Sequence, residues 1–165
     1  MRGAESDEDA QPPKTPPPAA ARAPRPRRPR WEKRMHERLV INNLDEGPRC
    51  ILIPVHLKTT DTMQELNSEA MVDCGATGDF VDEEFVKRAN LPTRSLSSPV
   101  PVYNVNGTPN EAGNISKVVD VLMTYNGHSE RILLAVTKLG KQSVILGMTW
   151  LKKHNLALVA TIFIN

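Results

Sequence analysis

The sequence predicts one mostly-β domain, a small barrel or sandwich with one or two short helices, preceded by a disordered tail. Three observations predict it. Short apolar runs separated by turn residues recur over about 100 residues, the pattern of strands joined by hairpins. Only two stretches carry the end signals of helices. A chain of 165 residues has room for one core and a tail, since one domain takes about 100 to 150 residues.

The N-terminal part comes first. Residues 1 to 30 set Pro12, Pro13, Pro16, Pro17, Pro18, Pro24, Pro26 and Pro29 among alanines and arginines, with almost nothing large and apolar to bury. Such a segment cannot offset its ordering entropy and is expected to be disordered, with polyproline II character. The tail or linker is expected over residues 1–45 and the folded domain over 46–165. Up to Arg38 the chain carries 10 basic and 6 acidic residues, and after it 11 basic and 13 acidic. A nucleic-acid-binding domain carries its basic stripe on the folded part. RNA is therefore at most a weak ligand of Arg22–Arg38, held by phosphate contacts, and a solvated linker of a larger precursor is the plainer reading. The acids Glu5, Asp7, Glu8 and Asp9 are unlike a mitochondrial presequence. No run approaches the roughly 20 apolar residues of a membrane helix, and the chain starts without an apolar signal region, so an intracellular, cytoplasmic protein without membrane contact is expected.

The strands and helices follow in order. Ile51 to Leu57 reads as a strand, with Pro54 marking an edge or a bulge. Ala70-Met71-Val72 is a short buried strand that runs into Asp73-Cys74-Gly75-Ala76-Thr77. Asp82 to Asn90 has acids at its start and Lys87-Arg88 at its end, as a helix does. Val100 to Val105, a turn at Asn106 to Asn110, Ile115 to Tyr125, a tight turn at Asn126-Gly127 and Arg131 to Thr137 continue the hairpin pattern. Val144-Ile145-Leu146 closes the strands, and Thr149 to Asn155 is a second helix with Lys152-Lys153 near its end.

Among residues able to do chemistry, Asp73 stands out as an acid that follows an apolar strand and precedes the glycine of a tight loop. Gly75 lets the backbone come close, Ala76 keeps the loop small, and Thr77 supplies a hydroxyl to fix the carboxylate. An Asp-x-Gly alone is a common turn. A second element is Ser143 to Leu151, where a buried strand stops at Gly147 and passes into a helix. Asp79, Asp82, Glu83 and Glu84 read as the solvated start of the first helix, with only Asp79 close enough in sequence to influence the Asp73 loop. With two cysteines, Cys50 and Cys74, the chain has neither a disulfide framework nor a four-ligand zinc cluster. Cys74 has no motif supplying a histidine partner, which argues against a cysteine nucleophile. His36, His56, His128 and His154 are scattered without ligand spacing and read as surface or turn residues. No metal is expected.

Met71 to Val81 and Val144 to Leu151 together resemble the retropepsin-like aspartic protease of Gypsy-type LTR retrotransposon Gag-Pol polyproteins. Between them, Val102 to Gly113 looks like that family's flap hairpin, with Asn106, Gly107, Thr108 and Pro109 at its tip. The resemblance spans about residues 50 to 155 and keeps the order of all three motifs. It implies a small closed β-barrel of the retropepsin (acid protease) type, working as a homodimer on a polypeptide substrate without a cofactor. Each copy would supply one catalytic Asp73 on the loop Cys74, Gly75, Ala76 and Thr77, supported by the second loop at Ile145, Leu146 and Gly147. Two carboxylates about 4 Å apart repel by roughly 4 kcal/mol at an effective dielectric near 20, so such a pair retains one proton and can act as base and acid together. The chain departs from the family pattern at two places. Cys74 stands where the family has Ser or Thr, whose hydroxyl ties the loops across the dimer, and a thiol is a weaker donor. After His154-Asn155 the family pattern continues with Pro and a further strand, whereas residues 156–165 are an atypical β-prone tail, as a truncated polyprotein would leave. The alternative implied by these departures is an inactive remnant serving as a binding or interaction module.

Overall fold

A computed structural model of the chain describes residues 27–35, 38–41, 51–104 and 106–154. The Pro-rich segment expected to be disordered, up to residue 26, and the atypical tail at residues 156–165 lie outside the described residues. Nine strands and two short helices make up the rest: β1 (Leu39–Ile41), β2 (Ile51–Thr59), β3 (Glu65–Val72), β4 (Phe80–Asp82), α1 (Glu83–Arg88), β5 (Arg94–Val100), β6 (Val102–Asn104), β7 (Ile115–Tyr125), β8 (His128–Thr137), β9 (Val144–Leu146) and α2 (Met148–Lys153).

Six strands close into a barrel in the order β2-β3-β9-β4-β8-β7. Closure comes from a second antiparallel pairing of β2, which sets His56–Thr59 against β7 at Thr124 to Val121. Pro54 lies outside that stretch and opposite Glu69 of β3, so its missing donor faces the unpaired side, as an edge proline requires. The β7–β8 hairpin turns at Asn126 and Gly127, both at positive φ, the backbone a two-residue hairpin needs. β5 extends the sheet beyond β7.

Because side chains alternate faces along a strand, the central strands feed two apolar clusters at once. Val144 and Leu146 of β9 and Val81 of β4 pack with Leu57, Val121 and Trp150 inside the barrel. Ile145 and Phe80, on the opposite faces, pack with Leu39, Ile41, Val102 and Ile115. This double burial is why three-residue strands suffice at the centre of the fold.

The domain starts earlier than residue 46. Leu39 and Ile41 are buried, and burial of each such side chain contributes about 1.5–3 kcal/mol, enough to seat a three-residue strand parallel to β6. A 3-10 turn at Glu32–Arg34 precedes it. Glu32 is buried and accepts hydrogen bonds from the backbone N–H and the hydroxyl of Ser97 in β5. Arg34 reaches Asp120 of β7, whose fully buried carboxylate also takes Arg94 at 2.7 Å and Arg131 at 2.9 and 2.7 Å. A charge made costly by burial is thereby matched by three guanidinium groups.

Other expectations are corrected here. β3 begins at Glu65 instead of Ala70, and β5 lies in a Ser- and Pro-containing stretch for which no element was expected. The strand expected over Val100 to Val105 is split by Pro101 between β5 and β6, and Val105 lies outside the described residues. Asp79 and Asp82 are buried, not solvated. Asp82 caps α1 by accepting from the Phe85 N–H, and its other oxygen accepts from Leu139 N–H. His128 and His154 do not stand apart, since their rings meet edge to face at 5.0 Å.

Candidate active site

Asp73 sits where β3 ends, beside the end of β9. Parallel pairing of Ala70 to Val72 with Val144 to Leu146 brings the two loops that follow these strands together. The Asp73 N–H continues the ladder by donating to Leu146 O at 2.9 Å. Its Oδ1 accepts from the Gly75 N–H at 2.7 Å, an Asx turn that fixes the side chain on its own loop. Its Oδ2 is buried and has no hydrogen-bond partner among the described residues. Cys74, the next residue, is exposed.

Thr77 does not hold the Asp73 carboxylate. Its hydroxyl oxygen accepts from Val40 N–H at 2.7 Å, and its N–H donates to Val40 O at 2.9 Å, so the loop is stitched to β1. β1 pairs on its other side with β6, the first strand of the flap-like hairpin. A segment expected to be tail thus joins the Asp73 loop to the hairpin root.

The second loop locks onto the first through backbone contacts. Met148 N–H donates to Ala76 O at 2.7 Å, and the Thr149 hydroxyl donates to Thr77 O at 2.7 Å. Gly147 is packed so closely that a Cβ would lie 2.2 Å from Gly78 O and 2.5 Å from Ala76 O, which excludes any side chain there. Ile145 and Leu146 are buried as the strand that carries this loop. Asp79 completes the lock, its Oδ1 accepting from Gly147 N–H at 2.9 Å. Burial pushes the Asp79 carboxyl up to about 7; Glu130 adds repulsion, while hydrogen bonds from the Gly147 and Trp150 backbone and the Lys153 charge work against the rise. This role of Asp79 lies outside the expectation of a solvated helix start. The available signal was an acid set between Gly78 and the apolar pair Phe80-Val81, where a solvated helix start does not belong.

The hairpin tip is exposed at Asn106, Gly107, Thr108 and Pro109. Asn104 N–H donates to Thr108 O at 2.8 Å, Gly107 takes positive φ, and Asn106 Oδ1 accepts from the Thr108 N–H and hydroxyl. Asn110 is buried and ties the base, its side-chain amide donating to Asn104 Oδ1 at 2.8 Å. Arg38 stacks over the Tyr103 ring at 4.0 Å, so Arg34 and Arg38 of the basic segment both engage the fold itself. Among the described residues no helix is long and apolar enough to cross a membrane.

A strand-end Asp loop locked to a strand–glycine–helix loop on a closed six-stranded barrel defines a retropepsin-like domain. The family model for the PEG10/RTL1 protease domain matches residues 69–158, more than half of the chain, and the chain belongs to that family. Among solved structures it is similar to EIAV protease complexed with the inhibitor HBY-793, at 18% identity over 73% of this chain and 94% of that one, with a TM-score of 0.39. It is also similar to the retroviral protease-like domain of Ddi1 from Leishmania major, at 14% identity over 63% and 76% of the two chains and a TM-score of 0.36.

Proposed function

We propose that the chain is one half of an aspartic endopeptidase, in which two copies pair and each supplies Asp73. The observation that carries this reading is the Asp73 carboxylate, held through Oδ1 on its own loop while Oδ2 is buried without a partner among the described residues. One carboxylate cannot serve as base and acid in the same step, whereas two sharing a proton can. The ionised member takes a proton from a water that attacks the peptide carbonyl, and the protonated member donates to the developing oxyanion and then toward the leaving amine. The lock between the two loops holds each carboxylate in place before substrate arrives. The exposed tip Asn106 to Pro109 closes over an extended peptide and pairs with its backbone. No cofactor or metal enters this chemistry.

The test is peptide cleavage between about pH 4 and 7 over a dilution series, with Asp73→Asn alongside. Cleavage that falls faster than linearly on dilution and is abolished by the substitution supports the proposal. A second reading, a non-catalytic barrel acting as an interaction module, is favoured by one observation, the thiol of Cys74 where a hydroxyl would bridge the loops. A folded, dimeric sample that cleaves nothing selects it.

A further inference from the structure

The β7–β8 hairpin and the end of α2 bring together three residues that the proposed chemistry does not use. His128 and Glu130 are two apart on β8, hence on one face of the strand. His154 follows α2 and turns back onto them. Ligand atoms from His128, Glu130 and His154 all lie within 4.8 Å of one another. They line a cleft of about 240 Å³ together with Tyr125, Asn126 and Trp150.

We propose that His128, Glu130 and His154 form a binding site for a first-row divalent cation, zinc above all. Two imidazoles and one carboxylate are the borderline donor set that zinc favours, and three protein ligands leave a fourth position for water. Ligand atoms 2.0–2.1 Å from a tetrahedral ion stand roughly 3.3 Å apart. The present spacing brackets that value: His154 Nε2 is 2.5 Å from Glu130 Oε1, and the widest separation in the group is 4.8 Å at most. The ion fits if the His154–Glu130 contact opens and the exposed His128 swings inward. Lys153 already holds the other oxygen, Glu130 Oε2, at 3.1 Å, which leaves Oε1 as the single carboxylate ligand. His154 is braced by Trp150, whose ring centroid lies 4.6 Å away. A bound ion would pin α2 to the hairpin, and α2 begins at the Gly147 loop that supports Asp73.

The test is zinc titration of the purified full chain, made metal-free with a chelator, by competition with a chromophoric zinc indicator. His128→Gln and Glu130→Gln serve as variants, and Cys74→Ser as control. His128 is exposed, so its replacement leaves the fold intact, as circular dichroism checks. The expected result is one zinc per chain, weakened at least about tenfold by either variant and unchanged in Cys74→Ser, on the scale of losses seen when a metal site is perturbed. Cobalt in place of zinc gives ligand-field bands without a thiolate charge-transfer band, and zinc raises the thermal midpoint of the parent chain but not of His128→Gln. Absence of zinc binding in this titration overturns the proposal. So does zinc binding that survives His128→Gln, or that depends on Cys74.

Discussion

Replacement of Gly147 by alanine tests the lock between the Asp73 loop and the Gly147 loop. Gly147 has φ −98° and ψ −160°, an extended conformation that alanine adopts freely, so any cost is steric and not conformational. The new methyl would lie 2.2 Å from Gly78 O and 2.5 Å from Ala76 O, both backbone atoms that cannot rotate away. Carbon atoms of this kind keep at least 3.0 Å from such neighbours, so the loops must part by about 0.8 Å. That displacement stretches Met148 N to Ala76 O, now 2.7 Å, to the limit of a hydrogen bond, and strains Gly147 N to Asp79 Oδ1, now 2.9 Å. Overpacking costs about 1–3 kcal/mol and each buried group left unpaired about 1–3 kcal/mol, which together predict a loss of about 3–5 kcal/mol. With a urea slope of about 2 kcal/mol/M, the unfolding midpoint falls by about 2 M. A variant within about 1 kcal/mol of the parent would refute the reasoning, because it would mean that the loops are free to separate.

Asp79→Asn keeps the oxygen that accepts from Gly147 and removes the titration. The folded-state carboxyl is raised to about 7, so its contribution to stability is full below about pH 4 and is lost as pH rises through 7; the variant should match the parent near pH 4 and exceed it by up to about 4 kcal/mol above pH 7. Chemical unfolding at a series of pH values checks this, and a difference independent of pH contradicts it. Asp120→Asn removes the charge that Arg34, Arg94 and Arg131 share, with an expected loss of about 3 kcal/mol and a thermal midpoint lower by about 10 °C, while Glu84→Gln in the exposed pair with Lys87 leaves the midpoint unchanged. Cys74→Ser places a hydroxyl donor next to Asp73; worth about 1 kcal/mol in the proposed dimer, it should raise the proposed cleavage at a fixed low chain concentration about fivefold, and equal or lower cleavage would show that the thiol is no handicap.

Strands buried on both faces or built on apolar alternation were legible in the sequence: β2, β7, β9 and, from Arg131 onward, β8 announce themselves by composition, and α1 by the acids at its start and its terminal cations. β3 was legible only at its apolar end, because Glu65 to Glu69 alternate between exposed and half-buried positions. β5 hides in Arg94-Ser95-Leu96-Ser97-Ser98-Pro99, where hydrogen bonds to β7, Glu32 and Asp120 do what apolar side chains do elsewhere. β1 escaped because three residues carry no period, and its strand character comes from β6 and Thr77. The site divides in the same way. Asp73, Gly75 and Gly147 stand in local motifs readable along the chain. The bond from Gly147 to Asp79 spans 68 residues, and the meeting of His128, Glu130 and His154 exists only once the hairpin and α2 have packed.

The central claim is that one active site needs Asp73 from two copies, and subunit mixing tests it most directly. Parent chain at a concentration that saturates dimer formation is equilibrated with a tenfold excess of Asp73→Asn, and peptide cleavage is followed. If each site takes one carboxylate from each copy, most parent chains end in mixed dimers and activity falls to about one-tenth by mass action. Activity that stays constant as the inactive chain is added would contradict the account, because a single copy would then hold the whole site.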